Sequence, residues 1–503
     1  MNGLEGILNG FSQALTLVNL IACFVGVLLG TIIGVLPGLG PTATMSLLLP
    51  ITLNFNEPVT GLIMLAGIWY GAQYGGSTTS ILVNIPGEAA SVMTCIDGNQ
   101  MAKKGRAGAA LSIAALASFI AGTVGIIGLQ FFAPPLAKAA LSFGPPEYLC
   151  LMILAFTLLT NLTGSSPTKG LLMAFVGFFL GTIGTDSQTG MNRFTLGSAD
   201  LMGGIDFLPI AMGLFGIAEI ISVLIDKESN QQLEKVRFKD LFPNKEELKR
   251  SSKPMFRGSI LGFFIGLIPG PGPTISTFIS YSLEKRLSKI KDQFGKGAVE
   301  GVAGPEAANN SAVTGSLVPL LALGIPFAPP AALLLAGMRM QNIEAGPMLF
   351  QQFPNVFWGI VASMYLGNIM LLILNLPLVG FFAKIASIKP MFLMPVVSIL
   401  CLIGVYSVRN NIFDIWIMLL AGIIGFFLRR KNYPVAPLIL ALVLGPTTES
   451  AFRNSLTILN GNLSSLFERP IAAVLLAVTI IYLIATVGRK YIKLKKLNTA
   501  VSK

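Results

Sequence analysis

The sequence predicts an all-α polytopic membrane protein made of two inverted structural repeats, and three observations support this prediction. Of the 503 residues, 53% are hydrophobic and only 12% are charged, whereas soluble domains carry about 25% charged residues. Apolar stretches long enough to cross a bilayer recur along the chain, and we expect roughly 10–14 membrane segments. A P-G-x-G-P-T motif also occurs once in each half of the chain.

The clearest apolar stretches carry few or no charges. They are residues 107–132, 205–225, 356–382 and 471–487. The four cysteines are scattered through apolar surroundings at positions 23, 95, 150 and 401, so we interpret them as packing residues. The chain has no histidine, which removes the commonest metal ligand and general base. We therefore predict no resident cofactor or metal beyond a coupling ion.

The basic residues orient the chain in the membrane. Most of the 35 Lys and Arg lie in five clusters, at 103–106, 227–257, 285–296, 429–431 and 489–503. Because Lys and Arg accumulate in cytoplasmic loops, we place these clusters inside, the N-terminus outside and the C-terminus inside. The net charge of +12 then follows from membrane topology and does not indicate a nucleic-acid site.

The two Pro-Gly motifs differ in their flanking charges. Residues 30–42 read G-T-I-I-G-V-L-P-G-L-G-P-T and residues 262–274 read G-F-F-I-G-L-I-P-G-P-G-P-T. The first motif has no basic residue nearby, whereas Lys253, Arg257 and Lys285 flank the second on both sides. Matched ends predict re-entrant or broken hairpins entering from opposite sides, as in an inverted repeat. The alternative is that each Pro-Gly pair only kinks a spanning helix.

This pattern divides the chain into four parts. Residues 1–226 form the first membrane repeat, 227–257 a charged cytoplasmic linker, 258–488 the second repeat and 489–503 a basic cytoplasmic tail. One observation conflicts with the scheme. Residues 447–456 faintly resemble residues 185–196, and the charge count places both segments outside, although inverted copies should face opposite ways.

Two segments carry polar residues in apolar surroundings, at 74–94 and 304–315. Polar groups inside a bilayer are costly and usually face a pathway or a binding site. Free N–H groups at a broken helix suit a carboxylate, and free carbonyls suit Na⁺. The alternative is that Ser and Thr only join neighbouring helices. Four acidic residues are candidates for ion coupling: Glu88, Asp97, Asp186 and Glu306. Arg193 is a further candidate, for contact with a substrate carboxylate.

Catalytic motifs are missing from the sequence. It has no H-E-x-x-H, no G-x-S-x-G and no Walker A motif, so we predict that the chain is not an enzyme. The polar segments within a membrane protein indicate a transporter, and two alternatives stay open. One is a membrane scaffold whose polar breaks serve packing alone, and the other is a membrane enzyme that uses Glu88 and Glu306 as a carboxylate pair.

Several strings together resemble the large membrane subunit of the tripartite tricarboxylate transporters, from about residue 25 to 470. They are P-G-L-G-P-T (37–42), Y-G-A-Q-Y-G-G-S-T-T-S-I-L-V-N-I-P-G (70–87), D-G-N-Q-M-A-K-K-G-R-A (97–107), F-G-K-G-A-V-E-G-V-A-G-P-E-A-A-N-N-S-A (294–312) and Y-P-V-A-P-L-I-L-A-L-V-L-G-P (433–446). The resemblance implies an elevator-like importer of citrate-like di- or tricarboxylates in a bacterial inner membrane. Its implied partners are a small four-helix membrane subunit and a periplasmic solute-binding protein, and its energy source is a Na⁺ or H⁺ gradient.

The resemblance also implies roles for single residues. Substrate contacts would come from Ser77, Thr78, Thr79, Asn84, Asn309, Asn310, Ser311 and Thr314. The hairpin tips, with a possible ion site, would be shaped by Pro37, Gly38, Gly40, Pro269, Gly270 and Gly272. One departure from the family pattern is Phe327, which stands where a glycine is usual and which we expect to narrow the pocket.

Overall fold

The computed structural model describes residues 3–36, 40–84, 86–162, 166–186, 188–225, 242–378, 381–382 and 390–484, and these are almost entirely helical. The longer helices are α1 Gly3–Ala14, α2 Leu17–Gly34, α3 Pro41–Thr52, α4 Pro58–Val83, α5 Val92–Met101, α6 Ala107–Ala140, α7 Pro145–Leu162, α8 Pro167–Gly181, α11 Ala218–Ile225, α12 Lys245–Gly266, α13 Gly272–Leu287, α14 Glu300–Leu323, α15 Pro329–Met340, α17 Pro354–Asn375, α18 Pro390–Arg409, α19 Ile412–Arg430, α20 Ala436–Ile458 and α21 Pro470–Ile484. The short elements are α9 Ala199–Met202, α10 Phe207–Ala211, α16 Leu349–Gln352 and one antiparallel hairpin of β1 Gly184–Thr185 with β2 Asn192–Arg193.

Helix length and composition identify a polytopic membrane protein. Five helical stretches in the described residues are long and apolar enough to cross a bilayer, and four shorter helices are also apolar. Helices α4 and α14, with 26 and 24 residues, differ from the other long helices in being buried over almost their whole length. They therefore form the centre of the protein, surrounded by other helices.

The two halves share their local structure. In each half two helices, with a Pro-Gly pair between them in the sequence, precede a long buried helix, in the order α2, α3, α4 and then α12, α13, α14. Both buried helices end in a left-handed residue, Asn84 with φ 60° and Gly324 with φ 73°. Glycine and asparagine are the residues that adopt this conformation most readily. Ile-Pro follows each of them in the sequence, as the predicted repeat requires.

Glycines at four-residue spacing bring the first and the long helix of each half into backbone contact. On α2, a Cβ built at Gly30 would lie 2.3 Å from the carbonyl oxygen of Ile68 on α4. On α12, a Cβ at Gly262 would lie 2.3 Å from the carbonyl oxygen of Ala308 on α14. Small residues at this spacing let membrane helices approach closely. Each half is therefore built around a tightly joined helix pair.

The two halves exchange a helix with each other. Helix α6 of the first half packs on α12 and α14, whereas α17 of the second half packs on α2 and α4. A side-chain hydrogen bond joins the exchanged helices, since the Asn368 amide donates to the Phe119 carbonyl at 2.8 Å. This reciprocal packing is the arrangement expected of two copies related by a pseudo-two-fold axis.

Ion pairs gather three of the predicted cytoplasmic segments on one face. Arg106 pairs with Glu247, and Arg250 donates to Gln293 at 3.2 Å and pairs with Glu300 at 2.9 Å. The predicted linker is only partly outside helices. Residues 226–241 lie outside the described part, but residues 245–257 form the first turns of α12. The helix starts there because Asn244 accepts the Glu247 N–H at 2.8 Å and the Glu247 carboxylate accepts the Asn244 N–H in return.

The two segments that faintly resemble each other, 185–196 and 447–456, are in direct contact. Arg193 of the β-hairpin donates to Glu449 of α20 at 2.7 Å, and Arg453 of α20 pairs with Asp186 at 3.0 Å. Both segments therefore lie on the same face, in agreement with the charge count. Their similarity is not part of an inverted repeat.

A buried polar cluster between the two halves

A cluster of polar side chains lies where α14 meets α4, α5 and α6. Helix α14 contributes Glu306, Asn309 and Asn310, which share one side of the helix because residues three and four apart are neighbours. All three are buried, with Glu306 having no exposed surface. The polar segments 74–94 and 304–315 thus meet in the buried interior of the protein.

The carboxylate of Glu306 is the centre of the cluster. Its oxygens accept hydrogen bonds from Ser77 on α4 at 2.8 Å and from Ser118 on α6 at 3.4 Å, and also from Thr94 on α5. Neutral hydroxyls account for its side-chain hydrogen bonds within the described residues. A buried carboxylate is thus held by three different helices.

The two asparagines extend the network in opposite directions. The Asn310 amide donates to Ser118 at 2.7 Å and to the Glu306 carbonyl at 3.0 Å. The Asn309 amide donates to the Glu88 carboxylate at 3.0 Å. Glu88 lies on the segment that follows α4, so this bond folds the segment back onto α14.

Two side-chain atoms on the turn of α14 from Glu306 to Ser311 have no partner within the described residues. They are the side-chain carbonyl oxygen of Asn309 and the hydroxyl of Ser311, and both are fully buried. Leaving a buried polar group unpaired costs about 1–3 kcal/mol. Such groups are typical of a site that a polar ligand completes.

Other residues expected to contact substrate have local partners. Thr79 donates to the Gly76 carbonyl at 3.0 Å, and Thr314 donates to the Asn310 carbonyl at 3.3 Å, each within its own helix. Thr78 is buried on α4. Asn84 is exposed at the left-handed end of α4.

The described hairpin tips contact the segments that follow the long helices. Pro37 and Gly38 lie outside the described residues. Gly40 precedes α3, and a Cβ there would lie 3.6 Å from the carbonyl oxygen of Gly87. In the second half the Gly270 N–H donates to the Phe327 carbonyl at 3.3 Å, and Gly270 has a φ of 134° that favours glycine. Pro269 lies in this same loop, and Gly272 begins α13.

Phe327 lies in apolar surroundings. Its ring and Pro269 line a cavity of about 380 Å³ whose other walls include Leu151 and Leu267. Gly87 has the corresponding position after α4, counted from the repeated Ile-Pro, and its backbone packs against Gly76. The bulky ring therefore fills space beside the second hairpin, and residues of the Glu306 cluster do not line this cavity.

Asp97 is fully buried and fastens a loop. One carboxylate oxygen accepts backbone N–H groups from Gly295, Gly297 and Ala298 at 2.9, 2.7 and 2.8 Å. The other oxygen accepts the Tyr281 hydroxyl at 2.8 Å. This carboxylate is engaged by the loop that leads into α14.

Asp186 and Arg193 belong to the contact between the β-hairpin and α20. The Asp186 carboxylate accepts the Gln188 N–H at 2.8 Å and lies 3.0 Å from the Arg453 guanidinium. The Gln188 N–H, followed by the Thr189 N–H and Arg453, lowers the pKa of Asp186 from 3.8 to about 2. Arg193 pairs with Glu449. These charges bind each other at the surface, away from Glu306.

Sequence reasoning missed Ser118 and Thr94 as partners of Glu306. Thr94 lay in a polar segment but was not singled out, and Ser118 is a single hydroxyl within the apolar run of α6. A polar residue in an apolar helix was the available signal. The pairing itself depends on the exchange of α6 onto α14.

A second cavity, of about 1080 Å³, lies beside Gly324 at the end of α14. Its wall includes Arg339, whose guanidinium donates to the Val443 carbonyl at 2.8 Å and to the Thr447 hydroxyl at 3.0 Å. Asn342 and Glu344 also line it. Within the described residues, no carboxylate forms an ion pair with Arg339, so its charge is available to the cavity.

A polytopic helical protein with a buried polar cluster beside two broken helices has the architecture of a membrane transporter. The chain matches the tripartite tricarboxylate transporter TctA family over residues 20–440, and it belongs to that family. Because this is a family of transporters, the enzyme interpretation that paired Glu88 with Glu306 is excluded.

Two relatives come from Agrobacterium vitis. An uncharacterized 52.8 kDa protein in the TAR-I ttuC' 3' region is 51% identical over 469 residues, which is 93% of each chain. An uncharacterized protein in the TAR-II ttuC' 3' region is 44% identical over 223 residues, which is 44% of this chain and 92% of the relative. No solved structure matches the chain significantly.

Proposed function

We propose that the protein is the large membrane subunit of an ion-gradient-driven importer of citrate-like di- or tricarboxylates. It works in a bacterial inner membrane with a small four-helix membrane subunit and a periplasmic solute-binding protein. The observation that supports this proposal is the turn of α14 from Glu306 to Ser311. Its buried polar groups meet residues of the first half, and two atoms there lack a partner.

The substrate site in this proposal centres on Asn309, Asn310 and Ser311. Amide and hydroxyl groups donate hydrogen bonds to carboxylates without adding a fixed charge. Ser77 faces the same cluster, whereas Thr78, Thr79 and Thr314 shape the helices around it. We leave the exposed Asn84 out of the site.

The moving parts in this proposal are the Pro-Gly hairpins. Gly40 contacts the segment of Glu88, and Gly270 is bonded to Phe327, so each tip is connected to the segment after a long helix. An elevator-like displacement of these parts would move the cluster relative to the outer helices. Asp97 and Asp186 are assigned structural roles because their carboxylates are already engaged.

The orientation with the N-terminus outside and the C-terminus inside is also proposed. It is supported by the ion pairs that gather residues 103–106, 245–257 and 300 on one face. Residues 186, 193, 449 and 453 form a separate charged group that the proposed topology places outside.

Uptake of labelled citrate into proteoliposomes tests the function. The vesicles contain this chain and its small partner, with or without the binding protein and an imposed Na⁺ gradient. Uptake that requires both additions supports the proposal. Absence of uptake across a panel of carboxylates, with Na⁺ and H⁺ gradients each tried, would refute the assigned function.

A membrane scaffold is the competing interpretation, and the pair Asn309→Ala and Asn310→Ala separates the two. A scaffold predicts that these variants lower stability but spare any transport that remains. The transporter predicts that uptake is lost in variants that keep their thermal stability. Ser316→Ala is a matched control, because its buried hydroxyl lies on α14 and donates to the Val313 carbonyl within that helix.

A further inference from the structure

Charge balance at Glu306 is the starting point. This residue has no exposed surface and meets three hydroxyls, while a second carboxylate, Glu88, is held one helical turn away by Asn309. The described arginines beside this region pair elsewhere, Arg257 with Glu284 and Arg250 with Glu300. Within the described residues the buried carboxylate has no cationic partner, which is unfavourable, and a cation bound from solution would balance its charge.

The atoms around Glu306 are those that Na⁺ prefers. Hydroxyl oxygens of Ser77, Thr94 and Ser118 surround the carboxylate, and they come from three separate helices. Small hard cations bind oxygen ligands of this kind, drawn from several directions. A proton would need only one acceptor. Four converging oxygen-bearing side chains therefore favour a metal cation.

We infer that Glu306, Ser77, Thr94 and Ser118 form the binding site of one coupling Na⁺ ion. This assignment rests on the proposed function, because a bound ion can drive uptake only if the protein is a transporter. The hydroxyls belong to the first half and the carboxylate to the second, so the ion joins the two halves. The site occurs once in the repeats, because the position of Glu306 in the second half, counted back from the repeated Ile-Pro, is occupied by Ala66 in the first.

The same network connects the ion to the substrate groups. Ser118 accepts the Asn310 amide at 2.7 Å, and Asn309 binds Glu88 at 3.0 Å. An ion that fixes Ser118 therefore fixes the orientation of Asn310 as well. Bound Na⁺ then raises the affinity for the carboxylate, and bound carboxylate raises the affinity for Na⁺. Symport needs this reciprocal coupling.

The titratable groups near Glu306 define what else a pH change affects. These groups are Tyr74 on α4, Glu88 before α5 and Cys95 on α5. Helix α6 faces Glu306 with the hydroxyl of Ser118, which does not titrate. The decisive comparisons are therefore made at one pH, between NaCl and KCl of equal ionic strength.

The first experiment needs no substrate. Thermal unfolding of the purified full chain is measured in NaCl and in KCl, since a ligand that binds the native state raises the unfolding temperature. We expect NaCl to stabilise the wild type and Glu300→Gln but not Glu306→Gln. Glu300 is the matched control, because it lies on the same helix and pairs with Arg250 at the surface. Equal stabilisation of Glu306→Gln by NaCl would overturn the inference.

The second experiment measures transport in proteoliposomes with the partner proteins. We expect Glu306→Gln to lose Na⁺-driven accumulation, whereas Glu300→Gln retains it. Thr94→Ala should raise the half-saturating Na⁺ concentration by about tenfold, as expected for the loss of about 1.4 kcal/mol of binding. This milder variant is informative even if Glu306→Gln folds poorly.

The outcomes separate the two proposals. Wild-type chain that is stabilised by Na⁺ but transports no carboxylate refutes the proposed function and leaves the ion site standing. Carboxylate uptake that a proton gradient drives without Na⁺, or Na⁺ dependence unchanged in both variants, refutes the ion site and leaves the importer standing.

Discussion

Replacement of Gly262 by alanine tests the central helix pair. The new Cβ would lie 2.3 Å from the Ala308 carbonyl oxygen, whereas ordinary contacts begin at 3.4 Å. The helices must therefore separate by roughly 1 Å, and overpacking of this kind costs about 1–3 kcal/mol. Alanine recovers about 1 kcal/mol through its higher helix propensity. We expect Gly262→Ala to be less stable than wild type by up to about 2 kcal/mol.

Gly367→Ala is the matched control. It also lies in a buried helix, but the nearest atoms to its Cβ are the Cys23 sulfur at 3.4 Å and a Val27 methyl at 3.5 Å. This variant gains helix propensity without a clash, so we expect it to equal or exceed the wild type. The assay is thermal unfolding in detergent, followed with a dye that reacts with thiols, since the four cysteines are buried and free. Equal stability of the two variants would refute the close packing of α12 on α14.

Three further predictions concern charged groups. Arg339→Gln should destabilise the fold by about 1.5–3 kcal/mol in the same unfolding assay, because its charged guanidinium donates to the Val443 carbonyl and the Thr447 hydroxyl. An equal loss in the exposed Arg286→Gln would contradict this. Asp97→Asn should lower the unfolding temperature, since three N–H groups lose a charged acceptor, and an unchanged temperature would argue against the fastening of the 295–298 loop. With its pKa lowered to about 2 from 3.8, Asp186 stabilises the fold above pH 4 and loses this contribution as pH falls towards 2. The stability deficit of Asp186→Asn should therefore be equal at pH 5 and pH 8, and a deficit that differs between them would contradict the assignment.

The sequence predicted the helical membrane fold and the two polar segments, because polar residues within apolar runs are a local signal. It did not predict which atoms meet. Ser118 binds Glu306 only because α6 crosses to the second half, and nothing near Ser118 in the chain indicates that crossing. Asn84 belonged to the polar string, but its place is set by the left-handed end of α4.

The roles of acidic residues depended on distant backbone. Asp97 resembles Glu306 in sequence context, yet its carboxylate binds N–H groups about 200 positions away. The close packing of α2 on α4 and of α12 on α14 could have been predicted from the sequence. Gly26, Gly30 and Gly34 have the four-residue spacing of packed membrane helices, and so have the glycines of α12.

The exchange of α6 and α17 constrains how the protein is made. When the ribosome has finished the first half, α6 is inserted but its partners α12 and α14 have not yet been made. The hydrogen bond from Asn310 to Ser118 therefore cannot form at that stage. The same is true of α2 and α4 until α17 arrives. A chain cut between residues 225 and 242 should therefore yield two fragments that survive degradation only when both are present in one membrane. The contacts between the two halves can therefore form fully only after α17, the second exchanged helix, has been inserted.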